Sequence, residues 1–289
     1  MSIGMALIPV GDAIAKYLSA QTSYSPLFLA WSRFLLGACI MLPLALHGGR
    51  IGSLTGQFYK RQCLRGLLIA LTVVCIIKAV SMSPIAEVFG AFFIGPVLSV
   101  VLSVFLLKEK ASTTDWVSVV LGFVGVLLVV QPDFIGFSGA GVGLTVVQKQ
   151  GLYWALLAGV FYGAFLVATR WASGIGPPLA QVSMQFIVAT LLLSPFGVLE
   201  AMQLGIVQLP LLVLMGATSV LANYFSILGL ARATAATLAP VVYMQVVAAT
   251  LIGVYVFNHS LGLLAMAGIT IIVLSGLFRI RIPSGSAAN

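Results

Sequence analysis

Five ionisable side chains fall inside long apolar stretches of this 289-residue sequence: Asp12, Lys16, Arg33, Lys78 and Glu87. A charge at the centre of a bilayer costs roughly 2.5 to 3.5 kcal/mol to insert, so each such group needs an opposite charge, water or a nearby surface. Asp12 and Lys16 are four residues apart and share one face of a helix, where they can neutralise each other. Arg33 then needs another partner, or Asp12 serves both. Two chemistries fit these three residues: they line a cavity and hold charged groups of a small solute or a coupling proton, or they form an ion-paired lock between two helices. Lys78 and Glu87 flank Ser83-Pro84, a cap followed by a first-position proline. Glu87 in a first turn and Lys78 in a last turn therefore also suit the helix dipoles, the alternative being a pair at a cavity mouth.

A second, uncharged set lies deeper: Gly95, Pro96, Tyr162, Asn223, Tyr243 and Gln245. Gly95-Pro96 interrupts helical hydrogen bonding and can free a carbonyl to meet a ligand, while Tyr162, Asn223, Tyr243 and Gln245 can donate hydrogen bonds. The plain alternative is a tolerated kink with polar contacts between helices. Catalysis has little support. His47 and His259 are the only histidines, and there is no HExxH, nucleophile elbow, phosphate-binding loop or carboxylate pair with room for acid-base work. Cys39, Cys63 and Cys75 have no CxxC spacing and read as small core residues, so neither a metal nor a disulfide is expected, and no cofactor is expected either.

The elements that must position these residues follow from composition. The chain is 61% hydrophobic and 7% charged, whereas a soluble domain carries about 25% charged residues. It therefore needs lipid around it. A net charge of +8 is spread between apolar runs with no basic stripe, which argues for topology determinants and against nucleic acid. The N-terminus lacks a basic n-region, and its apolar run is interrupted by Asp12 and Lys16, so no cleavable signal is expected.

With about 20 apolar residues needed per crossing, ten spans are predicted near residues 2–19, 26–46, 64–82, 84–107, 113–131, 151–170, 178–199, 208–230, 234–257 and 261–280. At about 1.5 Å per residue, Asp12 and Arg33 lie roughly 10 Å inside the outer helix ends, with Lys78 and Glu87 about one turn inside. With the N-terminus inside, the inner connections and tail hold Arg50, Lys60, Arg61, Arg65, Lys108, Lys110, Arg170, Arg232, Arg279 and Arg281, against Lys149 alone outside. Positive residues are retained in the cytoplasm, so both termini are predicted to be cytoplasmic.

The chain also repeats. Shifting the second half back by 152 positions puts Gly11 on Gly163, Pro26 on Pro178, Arg33 on Gln185, Phe34 on Phe186 and Pro43 on Pro195. An offset of 149 aligns spans four and nine, with Ala86 on Ala235 and Pro96 on Gln245. Five spans is an odd number, so the second copy enters the membrane from the opposite face. The predicted architecture is all-α: ten transmembrane helices as two inverted five-helix repeats, residues 1–131 and 151–281, joined by a glycine-rich linker at 132–150 and followed by a cytoplasmic tail at 282–289. Inverted repeats can exchange conformations, which is the basis of alternating access.

Three passages stand out in the first half, Gly11-Asp12-Ala13-Ile14-Ala15-Lys16, Ser83-Pro84-Ile85-Ala86-Glu87 through Gly95-Pro96 to Leu107-Lys108-Glu109, and Gly122-Phe123-Val124-Gly125-Val126-Leu127-Leu128, and two in the second, Leu230-Ala231-Arg232-Ala233 and Tyr243-Met244-Gln245. Together they resemble EamA repeats of the drug/metabolite transporter superfamily. One departure is Asn258-His259 where that family usually repeats a Gly-Glu. The resemblance implies a secondary transporter in the inner (cytoplasmic) membrane that moves a small polar or zwitterionic organic metabolite. Its first implied activity is amino-acid export; uptake of a vitamin or nucleoside-like metabolite is the alternative. From other classes, an integral membrane enzyme and a non-transporting scaffold compete with it. The expected partners are the solute, the bilayer and a coupling proton.

Overall fold

The computed structural model describes residues 2–47, 55–83, 85–130, 145–201, 206–257 and 263–281. Among them the chain forms twelve α-helices: α1 (Ser2–Gln21), α2 (Pro26–His47), α3 (Gly56–Met82), α4 (Ile85–Phe92), α5 (Ile94–Leu107), α6 (Thr113–Val130), α7 (Val146–Ala172), α8 (Pro178–Ala201), α9 (Leu209–Arg232), α10 (Ala235–Val242), α11 (Met244–Phe257) and α12 (Leu263–Arg281). α4 with α5, and α10 with α11, are two halves of a broken rod, so the twelve helices make ten rods. Six segments are long and apolar enough to cross a membrane, and Thr113–Leu128, Thr237–Ile252 and Met266–Ser275 are shorter apolar helices. The exterior is as apolar as the core: Phe105, Tyr153, Leu191, Phe196 and Leu199 all face outward. A helical bundle that is hydrophobic all round is built for lipid.

Local signals set the ends. Pro26 and Pro178 open α2 and α8, where the missing N–H costs nothing. Thr55 caps α3 by accepting from the Phe58 N–H, and Thr145 forms a capping box with Gln148 at the start of α7. These caps start α3 and α7 earlier than apolar length predicts, so Lys60 and Arg61 sit on α3 and residues 146–150 of the expected linker are helical. α3 runs to Met82, which leaves Lys78 just before its last turn. Residues 132–144 of the linker, the 282–289 tail, Arg50 and the Asn258-His259 departure lie outside the described residues.

The halves face each other through equivalent helices that run in opposite directions. The Trp31 indole N–H donates to Ser194 Oγ at 3.1 Å, and a Cβ added at Gly37 would sit 2.8 Å from the Phe186 ring. Ser183 Oγ donates to the Met41 carbonyl at 3.2 Å. As α2 ascends, α8 descends. Phe34 and Phe186, paired in the sequence repeat, meet with ring centroids 5.6 Å apart, which marks the pseudo-twofold axis. α6 and α12 behave alike, with Gly122 near Ser275 and Gly125 near the Gly268 carbonyl. Exchanging the halves maps the packing onto itself: α1 lies on α9 and α11 as α7 lies on α3 and α5, and α2 lies on α9 as α8 lies on α3.

Two sequence expectations are corrected. The breaks fall at Phe93, two residues before Gly95-Pro96, and at Tyr243. Superposing α4–α5 on α10–α11 therefore takes an offset of 150, which pairs Phe93 with Tyr243 and Gly95 with Gln245, and puts Pro96 on Val246. An offset of 149 is one residue short, and the sequence tolerates the slip because apolar residues at neighbouring positions are nearly interchangeable in such helices. Arg65, read as a connection residue, is fully buried in α3.

Candidate functional site

Asp12 finds its partner across the helix interface. Arg33 Nη1 meets Asp12 Oδ1 at 2.7 Å, with the Arg33 side chain 5% and the Asp12 side chain 16% exposed. Gly11 makes room: a Cβ there would lie 2.9 Å from Arg33 Nη2, so the guanidinium rests against the α1 backbone. Arg33 Nε donates to Ser219 Oγ of α9. Lys16 stands one turn further along α1, half-buried.

From Ser219 the polar contacts continue. The Asn223 amide donates to the Ser219 carbonyl at 2.9 Å and accepts from Gln185 Nε2 at 2.9 Å. Gln185 Oε1 in turn accepts from Arg65 Nη2 at 2.6 Å. Arg65 also donates through Nη1 to Gln62 Oε1 at 2.6 Å and Gln181 Oε1 at 3.3 Å, and through Nε to Thr169 Oγ1 at 3.1 Å. A ladder of polar groups from α1, α2, α9, α8, α3 and α7, all side chains except the Ser219 carbonyl, thus joins two buried guanidinium groups through the interface between the halves. In a low-dielectric interior such a ladder is strong only while every rung is made.

A second cluster sits where the broken rods meet α1 and α7. Gln245 Nε2 lies 3.0 Å from the Tyr162 hydroxyl and 3.2 Å from Met5 Sδ. Phe92 packs on Tyr162 with ring centroids 5.1 Å apart, and Phe93 on Tyr243 at 5.9 Å. Tyr243 is fully buried, yet its hydroxyl has no hydrogen-bond partner among the described residues. Aromatic walls with a few polar groups are the usual composition of a small-molecule site.

The predicted residues therefore separate into groups. Asp12, Arg33 and Asn223 are in the ladder, and Tyr162, Tyr243 and Gln245 in the aromatic cluster. Gly95 and Pro96 are buried behind the cluster: the Gly95 carbonyl faces Gly163, and the Pro96 carbonyl accepts from Ser99 Oγ at 2.7 Å. Lys78 is exposed on α3. The Glu87 side chain lies outside the described residues. Missed by the sequence reading were Arg65, Gln62, Gln181 and Ser219; Gln185 was flagged only as the repeat mate of Arg33. The available signal was helical spacing, Gln62 and Arg65 three apart and Gln181 and Gln185 four apart, all beside apolar residues.

At the bundle end where α7 finishes, Arg170 Nε pairs with Glu109 Oε1 at 2.7 Å and its Nη1 donates to the Leu230 carbonyl at 2.9 Å. Arg61 stacks on Trp171 at 4.1 Å. These contacts border an opening of about 450 Å³ that includes Glu109, Arg170, Trp171 and Ser173.

The chain matches the family model described as EamA-like transporter family twice, over residues 3–131 and 149–280. It is 24% identical over 270 residues to a protein of Rickettsia conorii named S-adenosylmethionine uptake transporter, covering 92% of this chain and 86% of the relative. A riboflavin transporter of Brucella anthropi is 19% identical over 282 residues, covering 96% and 95%. A solved crystal structure shares the fold with a TM-score of 0.75 at 19% identity, covering 96% of this chain and 97% of that one. These relatives are named as transporters, not enzymes. Two matches that between them take in nearly every helix of an apolar, antiparallel bundle leave one conclusion, that this multi-pass membrane protein belongs to the EamA-like transporter family.

Proposed function

We propose that the protein is an uptake transporter for a zwitterionic metabolite with an aromatic heterocycle, S-adenosylmethionine being the first candidate, working by alternating access across the cytoplasmic membrane. The observation that carries this is the buried cluster of Tyr162, Tyr243, Phe92, Phe93 and Gln245. Aromatic faces stack on a planar heterocycle, and an amide with a spare hydroxyl reads its edge. Asp12 and Arg33, a few turns away, offer opposite charges to a zwitterionic tail. The names of the relatives support uptake of a vitamin or nucleoside-like solute and lend nothing to amino-acid export.

Proteoliposomes should accumulate labelled S-adenosylmethionine, with riboflavin and free methionine as comparison solutes, in the presence and absence of a pH gradient. Accumulation of methionine alone would defeat the heterocycle reading. Tyr243→Phe separates binding from packing. Removing a buried hydroxyl without a partner should leave stability unchanged or raise it by about 1 kcal/mol, while uptake affinity falls roughly tenfold for the loss of one hydrogen bond made only to solute. Unchanged uptake by a folded Tyr243→Phe variant would remove that hydroxyl from the site.

Both termini are placed in the cytosol by this reading, as the basic connections favour. Tags at the two ends should be protected from externally added protease in intact cells. Cleavage of one tag only would contradict an even number of crossings.

A further inference from the structure

Among the described residues, Arg65 is a fully buried cation with no counter-charge against it. Arg33 and Arg170 each hold a carboxylate at 2.7 Å. Arg65, with no exposed surface at all, meets only neutral acceptors among the described residues: Thr169, Gln62, Gln181 and Gln185. Amide and hydroxyl oxygens supply partial charge, but a desolvated guanidinium is stabilised most by an anion. Of its five N–H groups, one on Nη2 has no partner in these bonds.

A second observation at the same place points the same way. Gln62 is also fully buried, and its Oε1 is taken by Arg65, which leaves the amide nitrogen as the donor end. That nitrogen has no partner among the described residues. The other two glutamines use theirs, Gln181 on the Gly176 carbonyl at 3.1 Å and Gln185 on Asn223. A cation and an unused neutral donor side by side are complementary to a small anion with two oxygens. The repeat agrees. The offset that superposes Phe34 on Phe186 carries Arg33 onto Gln185 and Asp12 onto Ala164, so the half that contains Gln185 has no acid where the other half has Asp12.

We propose that Arg65 and the Gln62 amide form a carboxylate-binding site, occupied when the end of the bundle capped by Arg61 and Trp171 opens, and that the carboxylate is the solute's own. Arg61 lies one turn before Arg65 on α3 and stacks on Trp171, so parting that contact exposes the guanidinium to the side where α3 begins. The solute's zwitterionic tail would pass from Arg33 at one end of the ladder to Arg65 at the other. This rests on the uptake reading for the identity of the solute; the site itself does not.

The test has two parts. In the purified full-length protein in detergent, acetate at constant ionic strength should raise the unfolding midpoint saturably, and chloride should not. The rise should vanish in Arg65→Gln and weaken in Gln62→Leu, which keeps the guanidinium if the first variant does not fold. No rise in the wild type, an equal rise with chloride, or a rise unaffected in both variants overturns the site. In proteoliposomes, Gln62→Leu should raise the KM for S-adenosylmethionine roughly tenfold, as for loss of one hydrogen bond to a charged group, with little change for its decarboxylated analogue. Equal effects on both solutes would assign the site to a free carboxylate and overturn the solute assignment. Absence of any uptake by the wild type would count against the proposed substrate class, and the acetate titration would still decide this site.

Discussion

Asp12→Ala is expected to destabilise the protein by about 3 to 5 kcal/mol, because it leaves the Arg33 guanidinium buried without its carboxylate. Ser219 remains beside Arg33 Nε but carries no charge, and Gly11 holds the guanidinium against α1 where water has little access. The double variant Asp12→Ala/Arg33→Met removes both charges, and replacement of a buried ion pair by apolar groups is often neutral or stabilising. Ser219 stays satisfied there, since its hydroxyl also donates to the Met215 carbonyl at 2.8 Å. The unfolding midpoint of the double variant should therefore return to within about 1 kcal/mol of wild type. Uptake should not return, falling at least about 100-fold, if the pair holds the solute's charges or a proton. Recovery of uptake together with stability would make the pair a helix lock and nothing more. Asp12→Asn, which keeps the size of the side chain, isolates the proton: uptake with and without a pH gradient should become equal, and persistent gradient-driven accumulation would assign coupling elsewhere.

Gly159→Ala and Gly163→Ala should each cost about 1 to 3 kcal/mol, the range for overpacking a filled interface, and the double variant should be inactive. A Cβ at Gly159 would lie 2.6 Å from the Phe92 carbonyl oxygen and one at Gly163 2.7 Å from that of Gly95. Both oxygens are backbone, at the joint between α4 and α5, so relief requires moving a helix and not a rotamer. Small residues four apart let helix backbones approach in this way. The same displacement would pull Tyr162, on α7, away from Phe92 and Gln245. Gly56→Ala is the control: nothing lies within 4 Å of a Cβ there, at the start of α3. It should be neutral or slightly stabilising, by less than about 1 kcal/mol. Ala is the better helix former, so no loss at Gly159 and Gly163, or a loss as large at Gly56, would show that close approach does not govern these positions.

Several features were legible in the residues alone because they are additive along the chain. Apolar run length placed ten rods within a few residues of where they lie, apart from the early starts of α3 and α7, and the paired prolines Pro26 and Pro178 marked equivalent helix starts. Repeat alignment put Phe34 on Phe186, and the two rings meet across the pseudo-axis. Intramembrane cost singled out Asp12 and Arg33 before any contact between them was known. It did not single out Arg65, which stands near the start of a span where a basic residue reads as a topology signal.

The class of the molecule thus follows from hydrophobic length, a duplicated odd-numbered unit and a short list of misplaced charges, all properties of local composition and spacing. The partners those residues take are set by the packed bundle. Asp12 has Lys16 one turn away yet bonds Arg33, Arg65 is sealed among three glutamines and a threonine, and the rods break at Phe93 and Tyr243. Each of these depends on how helices rotate and approach one another, over 21 residues of chain for Asp12 and Arg33 and more than a hundred for Arg65 and Gln185, with glycines such as Gly11 and Gly159 setting the distance. Apolar residues on neighbouring helix faces contribute nearly the same burial, so periodicity alone does not choose among those rotations.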